Sequence, residues 1–285
     1  MNKLKKKIKH FWKNFKTVLK RPEMNVLPGS FAYYLVLSIV PTITLITYAA
    51  SFFNVPSSFI FEFLAKALNE DIANLVVANF GGTNLGMKFY ISLIMAILIA
   101  SNGAASIITT SNAIYGIKNT GFIKRRIKAL IMTVFLVMLI IFMLAVPIFG
   151  EKIIELIKYV NLNNTFTEQI SFVFNIIKGP ISWFIIFILV KILYTLAPDR
   201  LLPSKYVNYG AIFTSVTWVI ITAIFSYYIS NIAVYDIFYG GLANIVILML
   251  WFYLLAYIFT IGMALNYREE EIKLEKTSQI NIIKE

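Results

Sequence analysis

Hydrogen-bonding side chains interrupt the long apolar stretch at residues 87–115, and they are the side chains best placed to bind a solute. On a helix, four positions share one face at spacings of four, three and four residues: Asn102, Ser106, Thr109 and Ala113. Hydrocarbon cannot satisfy amide and hydroxyl groups. This polar stripe is therefore expected to meet other helices or a watery cavity.

The opposite side of the same predicted helix is apolar and carries Ile107, Ile114 and Tyr115. Two interpretations of the polar stripe stay open at this point. Small and hydroxyl-bearing residues pack helices closely and bond across the contact. Polar residues inside a span also line the routes of transported solutes.

Other predicted spans carry side chains of the same hydrogen-bonding kind, which could complete such a route. As binding positions rather than catalysts, the candidate cavity-lining residues are Tyr34, Ser38, Asn102, Ser106, Thr109, Tyr239, Asn244 and Asn266.

Catalytic chemistry finds little support in the chain. It has no cysteine and a single histidine, His10, which lies in a basic N-terminal segment. No Asp or Glu falls inside a predicted span, and no two of them form a recognised metal motif. We therefore expect no enzyme, no cofactor and no metal site.

The composition is that of a membrane protein. Of 285 residues, 59% are hydrophobic and 14% charged, with a mean hydropathy of +0.76, whereas soluble domains are about half apolar and a quarter charged. The pattern predicts an all-α polytopic helix bundle with about six spans, at residues 28–53, 87–115, 129–149, 180–197, 207–232 and 239–267.

Three further segments of the chain are predicted from amphipathicity and composition. Residues 56–82 and 151–161 alternate apolar and charged positions at helical spacing and are expected to be surface helices. The third span, at 129–149, is nearly all apolar and is expected to face lipid.

The N-terminal segment 1–21 is a basic amphipathic helix by pattern. Its apolar residues recur at helical spacing and lysines fill the other positions. Such a helix suits the surface of an anionic inner leaflet. Lysine clusters also serve RNA-binding arms, but the expected partner here is the lipid bilayer, and no nucleic acid is expected.

The positive charges predict the topology. With six spans, one side receives the N-terminal segment with nine Lys and Arg, the 116–128 connection with five, the 198–206 connection with two and the 268–285 tail with four. Five fall on the other side. Because Lys and Arg concentrate in cytoplasmic loops, both termini of this cell-membrane protein are expected in the cytoplasm.

Several short motifs carry a resemblance to a known family: Phe31-Ala32-Tyr33-Tyr34 with Ser38 and Pro41, Leu193-Tyr194 with Pro198, Gly210-Ala211, Tyr235 through Tyr239-Gly240, and then Trp251, Gly262 and Asn266. Over residues 28–266 the chain resembles the YihY/virulence factor BrkB family of bacterial membrane proteins. The resemblance implies a polytopic inner-membrane protein of about six spans. It implies no mechanism, and the ribonuclease BN label that the family has carried conflicts with the side chains available for catalysis.

Two classes of function compete. One is a transporter or exporter of a lipid, an osmolyte or another small solute along the polar faces. The other is a non-transporting protein of envelope assembly or structure, in which the same residues only hold helices together. The lack of a carboxylate inside any predicted span argues against a simple proton relay. A homo-oligomer is left open.

Overall fold

The computed structural model describes residues 12, 15–52, 61, 87–118, 121–139, 164–232 and 234–284, and all regular structure among them is helical. Seven α-helices are numbered in chain order: α1 Glu23–Phe52, α2 Met87–Tyr115, α3 at 122–139, α4 Asn164–Leu196, α5 Asn208–Asn231, α6 Tyr235–Tyr239 and α7 Ala243–Lys284. Two single 3₁₀ turns, Ser204–Tyr206 and Gly240–Leu242, precede α5 and α7. The predicted all-α class is confirmed.

Four segments of these helices are long and apolar enough to cross a membrane: Leu93–Tyr115, Gly179–Leu196, Asn208–Asn231 and Ile245–Arg268. They lie at the predicted second, fourth, fifth and sixth spans. The 30-residue helix α1 covers the predicted first span, and α3 is described for only half of the predicted third. The number six therefore remains a prediction.

Helix bounds depart from the predicted spans at several ends. Helix α1 begins at Glu23, five residues before the predicted start, so Pro28 lies inside it. Helix α3 begins at 122 rather than 129. The last helix starts only at Ala243, after Gly240 with a φ of 51°, and continues to Lys284. Hydropathy marks the apolar part of a helix, and hydrogen bonding continues beyond it.

Helix α2 ends in a glycine-dependent cap. Gly116 has a φ of 63°, a left-handed conformation that costs glycine little. The amide of Ile117 donates to the carbonyl of Asn112 at 2.8 Å, and the Gly116 amide donates to Ala113 at 3.3 Å. These two hydrogen bonds satisfy carbonyl groups of the last helical turn, and the helix ends there.

The chain divides into two compact units. The first comprises residues 1–36, 106–125 and 183–285, and the second comprises residues 37–105 and 126–182. In the first unit, α5 and α7 pack with their backbones in close approach at Gly210 and Gly262. Small residues of this kind let helices meet closely where the hydrophobic effect gives no drive to associate.

In the second unit, helix α3 has two different sides. Ala129, Met132, Leu136 and Leu139 are buried, whereas Ile131, Val134 and Met138 are exposed. The prediction that this span simply faces lipid is therefore wrong for one of its sides. Uniform apolar composition gave no sign of which positions are packed.

The predicted surface helices at 56–82 and 151–161 lie outside the described residues, apart from Phe61, as does most of segment 1–21. The end of that segment is described. Its residues 15–19 are helical, Val18 is buried, and the ring of Phe15 lies 6.0 Å from the ring of Phe213 on α5.

Candidate functional site

A serine hydroxyl joins the backbone hydrogen-bond ladder of α2 in the second unit. The amide of Gly103 donates to Ser38 Oγ at 3.1 Å, and Ser38 Oγ donates to the carbonyl of Ile99 at 3.3 Å. Gly103 and Ile99 are the donor and acceptor of a single helical turn. A hydroxyl from α1 therefore bridges the turn of α2 that carries Asn102, the kind of insertion that bends helices.

An arginine binds the same turn from α3. Arg126 Nη1 donates to Asn102 Oδ1 at 2.9 Å, and Arg126 Nη2 donates to the carbonyl of Leu98 at 2.6 Å. The carbonyl of Leu98 also accepts a hydrogen bond from Ser101 Oγ at 2.8 Å. The side chains of Ser38 and Arg126 thus both contact the turn of α2 that carries Asn102. We refer to these three residues as the Arg126 site.

The Arg126 site lies far from either end of the apolar stretch. Asn102 is nine residues beyond Leu93 and thirteen before Tyr115, the limits of the membrane-capable segment. At 1.5 Å per residue these separations are about 14 and 20 Å. If α2 crosses the membrane, a guanidinium beside its middle is costly unless partners solvate it, and such charges usually mark solute or ion pathways.

The partners of Arg126 do not neutralise it. Both groups that accept its hydrogen bonds, an amide oxygen and a backbone carbonyl, are uncharged. Among the described residues no carboxylate pairs with this guanidinium. Arg126 is also only partly buried. The site therefore presents a positive charge and an amide beside a hydroxyl that is already bonded within α2, which suits it to bind a polar or anionic group.

The first unit contains a different polar cluster, in which the hydroxyl groups are bonded to each other and to the backbone. The hydroxyl of Tyr194 lies 2.6 Å from Thr214 Oγ1 and donates to the carbonyl of Phe259 at 2.7 Å. Asn266 Oδ1 accepts from the amide of Gly210 at 2.6 Å. These side chains are at most 1% exposed. The cluster ties α4, α5 and α7 together and presents no accessible surface, so it suits packing rather than binding.

Charged residues of the first unit are paired at the C-terminal end of α2. Arg200 forms an ion pair with Glu270 and lies 4.9 Å from the ring centre of Tyr115. Asn112 binds Asp199 twice, from Nδ2 to the carboxylate and from the Asp199 amide to Oδ1, each at 2.8 Å. Each of these contacts joins two parts of the chain that are far apart in sequence.

Arg21 binds the backbone at the same C-terminal end of α2. Its Nη1 donates to the carbonyl of Ile114 at 3.3 Å, and its guanidinium lies 4.6 Å from the ring centre of Tyr267. The negative end of the α2 dipole stabilises a cation at this position. Arg21 is the last residue of the segment predicted to lie on the lipid surface, and its contacts hold the chain just before α1 to the helix bundle.

The predicted polar stripe of α2 does not have one environment. Ser106 is buried, Asn102 is half-buried, and Thr109 and Ala113 are exposed. The residues expected on the opposite side are the buried ones: Ile107, Ile114 and Tyr115. The four positions therefore do not share one buried surface, and whether the stripe lines a watery cavity stays a prediction. The buried positions of this helix include small residues and polar ones alike: Ala100, Ser101, Ala104, Ser106, Thr110, Ser111 and Asn112.

The remaining candidate residues are scattered through the first unit. Tyr34 is 38% exposed and contacts the ring of Tyr33, and Tyr239 is 48% exposed beside Tyr235. A hydrogen bond with Tyr228 raises the pKa of Tyr235 above its ordinary value. The side chain of Asn244 lies outside the description. Only Ser38 and Asn102, of the eight candidates, meet at one turn, and Arg126 is the partner that the sequence analysis missed.

The described part of the chain contains no group of three or more His, Cys, Asp or Glu side chains arranged to hold a metal ion. The arrangement of the Arg126 site can donate hydrogen bonds and attract negative charge. It has no group suited to take up a proton.

Comparison with known proteins gives a family and several relatives. A family model described as virulence factor BrkB matches residues 16–281. The chain is 31% identical over 204 residues to the ribonuclease-like protein YfkH of Bacillus subtilis, covering 71% of each chain. It is 23% identical over 247 residues to a UPF0761 membrane protein of Alteromonas mediterranea, covering 82% of this chain and 79% of the relative.

A UPF0761 membrane protein of Idiomarina loihiensis is 32% identical over 104 residues, which cover 35% of this chain and 37% of the relative. No solved structure matches the chain.

Proposed function

We propose a function from one fixed premise: this chain belongs to the virulence factor BrkB family of membrane proteins. The proposal is that it transports or exports a lipid, an osmolyte or another small solute across the cell membrane. The role proposed for its polar residues is to bind the solute, with no cofactor and no catalytic step.

One observation carries this proposal, the convergence of Ser38, Asn102 and Arg126 on one turn of α2. Hydroxyl insertion into a helical ladder and an arginine within an apolar stretch both cost free energy in a membrane. Transport proteins commonly bind their substrates near the bilayer midplane, at polar groups that their helices carry there. A site that only packed helices would not need an uncompensated charge.

A non-transporting role in envelope assembly is the second candidate. The cluster of Tyr194, Thr214 and Asn266 favours it, because every hydrogen bond described there joins helices of the same bundle. Under that proposal Ser38 also serves only to join α1 to α2. The two candidates therefore differ in whether solute crosses the membrane.

Ribonuclease activity is not proposed, although one relative is named ribonuclease-like. RNA cleavage needs a metal or a positioned acid and base. The chain has one histidine, at position 10, and no cysteine. A basic segment alone binds anionic surfaces, and the partner proposed for segment 1–21 is the anionic leaflet rather than nucleic acid.

Reconstitution tests the proposal directly. The purified protein in liposomes should speed either the transbilayer movement of a fluorescent phospholipid or the efflux of entrapped small solutes, relative to protein-free liposomes. Asn102→Ala and Tyr239→Phe should lower that flux while helicity and elution volume stay unchanged. Flux indistinguishable from protein-free liposomes in both assays would favour the assembly role.

Cysteine accessibility separates a solute route from packing, helped by the absence of native cysteine. A cysteine at Asn102 should react with a small hydrophilic thiol reagent in native membranes. Cysteines at Val134 and Met138, which are 58% and 52% exposed on α3, should stay inert because lipid covers them. Equal inertness at all three would leave packing as the role of the site.

The proposed topology places both termini in the cytoplasm. A reporter enzyme that is active only outside the cytoplasm should give no signal when fused after Glu285 and a strong signal when fused near Asn163. An active reporter at Glu285 would contradict the six-span topology. It would leave the Arg126 site untouched, since that site does not depend on orientation.

A further inference from the structure

We propose that the Arg126 site binds an oxyanion, a phosphate, sulfonate or carboxylate group carried by the solute or by a lipid headgroup. The inference rests on the proposed function, because it names the substrate class of the same site. It follows from three features of the site: its unpaired donors, its uncompensated charge and its position at the start of α3.

The site presents hydrogen-bond donors that have no partner among the described residues. A guanidinium has five N–H groups in a planar fork. Arg126 uses two of them, one on Asn102 Oδ1 and one on the carbonyl of Leu98, which leaves three. Because Asn102 turns its oxygen to Arg126, its Nδ2 group is a further donor. A ligand that satisfies these groups must supply acceptors.

The acceptors must be negatively charged to balance the site. The other arginines described with acidic partners are Arg200, paired with Glu270, and Arg268, paired with Glu271. Arg126 has only neutral partners. A charge taken out of water is costly until a counter-charge joins it. An oxyanion matches both the charge and the two-pronged geometry of the guanidinium.

The first turns of α3 strengthen the attraction for an anion. Arg126 is the fifth residue of α3, which begins at 122. The N-terminal end of a helix carries partial positive charge, so cations there are in an unfavourable place and an anion is in a favourable one. In the neighbouring turn of α2, the carbonyl of Ile99 already accepts a hydrogen bond from Ser38, and the carbonyl of Leu98 accepts one from Ser101.

Ligand-induced stabilisation tests the inference without any transport measurement. The purified chain in neutral detergent is unfolded by heat at constant ionic strength while chloride is replaced by inorganic phosphate, methanesulfonate or acetate. In parallel, dioctanoyl phosphatidylglycerol is compared with dioctanoyl phosphatidylcholine. At least one oxyanion should raise the unfolding temperature above the chloride baseline in a saturable way.

Arg126→Gln should weaken that binding roughly ten- to a hundredfold, the usual loss for a charged hydrogen-bonded pair. Arg125→Gln is the matched control, since it removes the same charge one residue away, and it should leave the binding unchanged. Stabilisation by free phosphate would identify a soluble anion, and stabilisation by phosphatidylglycerol alone would identify a lipid headgroup.

Two results would overturn the inference: no oxyanion stabilises the chain beyond chloride, or Arg125→Gln loses as much binding as Arg126→Gln. Should Arg126→Gln fail to fold, Arg126→Lys and Asn102→Ala decide instead, since each removes part of the donor set. Wild-type affinity in both would equally overturn it. Binding without flux would contradict the proposed transport, whereas flux without oxyanion binding would contradict only this inference.

Discussion

The two polar clusters of this protein use similar side chains in opposite ways. In the first unit, Tyr194, Thr214 and Asn266 are fully buried, and their oxygen atoms are bonded to helix backbone or to each other, whereas the buried Nδ2 of Asn266 has no partner. In the second unit, Asn102 and Arg126 are only partly buried and keep donors without a partner. The bonded pair of Tyr194 and Thr214 holds helices together. Arg126 has only neutral partners, so its positive charge is still unbalanced until an anion binds.

The charges follow the same division. At the end of α2 in the first unit, Arg200 has Glu270, Asn112 has Asp199, and Arg21 has the carbonyl end of a helix. The ion pair compensates charge within the protein, the helix end stabilises Arg21, and all three contacts hold segments together. In the second unit Arg126 has no such compensation. Polarity inside a span therefore does not by itself indicate binding, and the balance of charge distinguishes the two roles.

The largest effect is expected from Gly262→Ala in the first unit. A Cβ atom at Gly262 would collide with Thr214 Oγ1, with the hydroxyl of Tyr194 and with the backbone of Gly210. Because Thr214 and Tyr194 are bonded to each other in a fully buried cluster and cannot move aside without disrupting it, we expect the free energy of unfolding to fall by about 3 kcal/mol.

Thermal unfolding in detergent, followed by tryptophan fluorescence, measures the Gly262→Ala loss. The matched control is Gly29→Ala on α1, where the nearest atom that a Cβ would meet lies 4.0 Å away, on the ring of Tyr253. That substitution should be neutral or stabilising by about 0.5–1 kcal/mol. Similar stability of the two variants would show that the close approach of α5 and α7 does not contribute to the stability of the protein.

Tyr194→Phe and Ser38→Ala should separate the two clusters. Tyr194→Phe leaves the carbonyl of Phe259 and the hydroxyl of Thr214 without this partner, so it should lower the free energy of unfolding by about 1–3 kcal/mol. Flux per folded molecule should stay unchanged. Ser38→Ala removes one bridging hydroxyl and should cost about 1 kcal/mol, yet lower the flux. A loss of flux in Tyr194→Phe, with none in Ser38→Ala, would reverse the comparison.

The smallest effect is expected from Glu270→Gln. The side chain of Arg200 is 38% exposed, so solvent screens the pair and the loss should be about 1 kcal/mol or less. The difference from the unmodified chain should shrink as salt is added, because salt screens an accessible pair. Unfolding temperatures at low and high salt measure it, and a loss as large as that of Tyr194→Phe would show that the pair is structurally essential.

The sequence predicted the helical membrane class and two members of the Arg126 site. Apolar length determines spans, and Ser38 and Asn102 stand out because hydrocarbon excludes them. Arg126 was missed because it is one of five Lys and Arg at 118–128 and was assigned to a connection. Helix α3 begins at 122, and its first turns return the arginine to the level of Asn102.

The rotation of α2 could not be predicted either. Polarity suggested that Asn102, Ser106 and Thr109 face inward, but Thr109 is exposed and Ile107 is buried. Apolar side chains are equally stable against lipid and against another helix, so hydropathy gives no direction to a spanning helix. Likewise the partners of Tyr194 come from α5 and α7, helices whose contact depends on two glycines far apart in sequence.

The central claim is that Arg126 recognises the charge of what the protein moves. The most direct test compares the flux of an anionic permeant with that of its neutral analogue, in liposomes carrying wild-type, Arg126→Gln or Arg125→Gln protein. The account predicts that the wild type and Arg125→Gln favour the anion about tenfold or more, and that Arg126→Gln loses this preference while neutral flux persists. An unchanged preference for the anion in Arg126→Gln would contradict it.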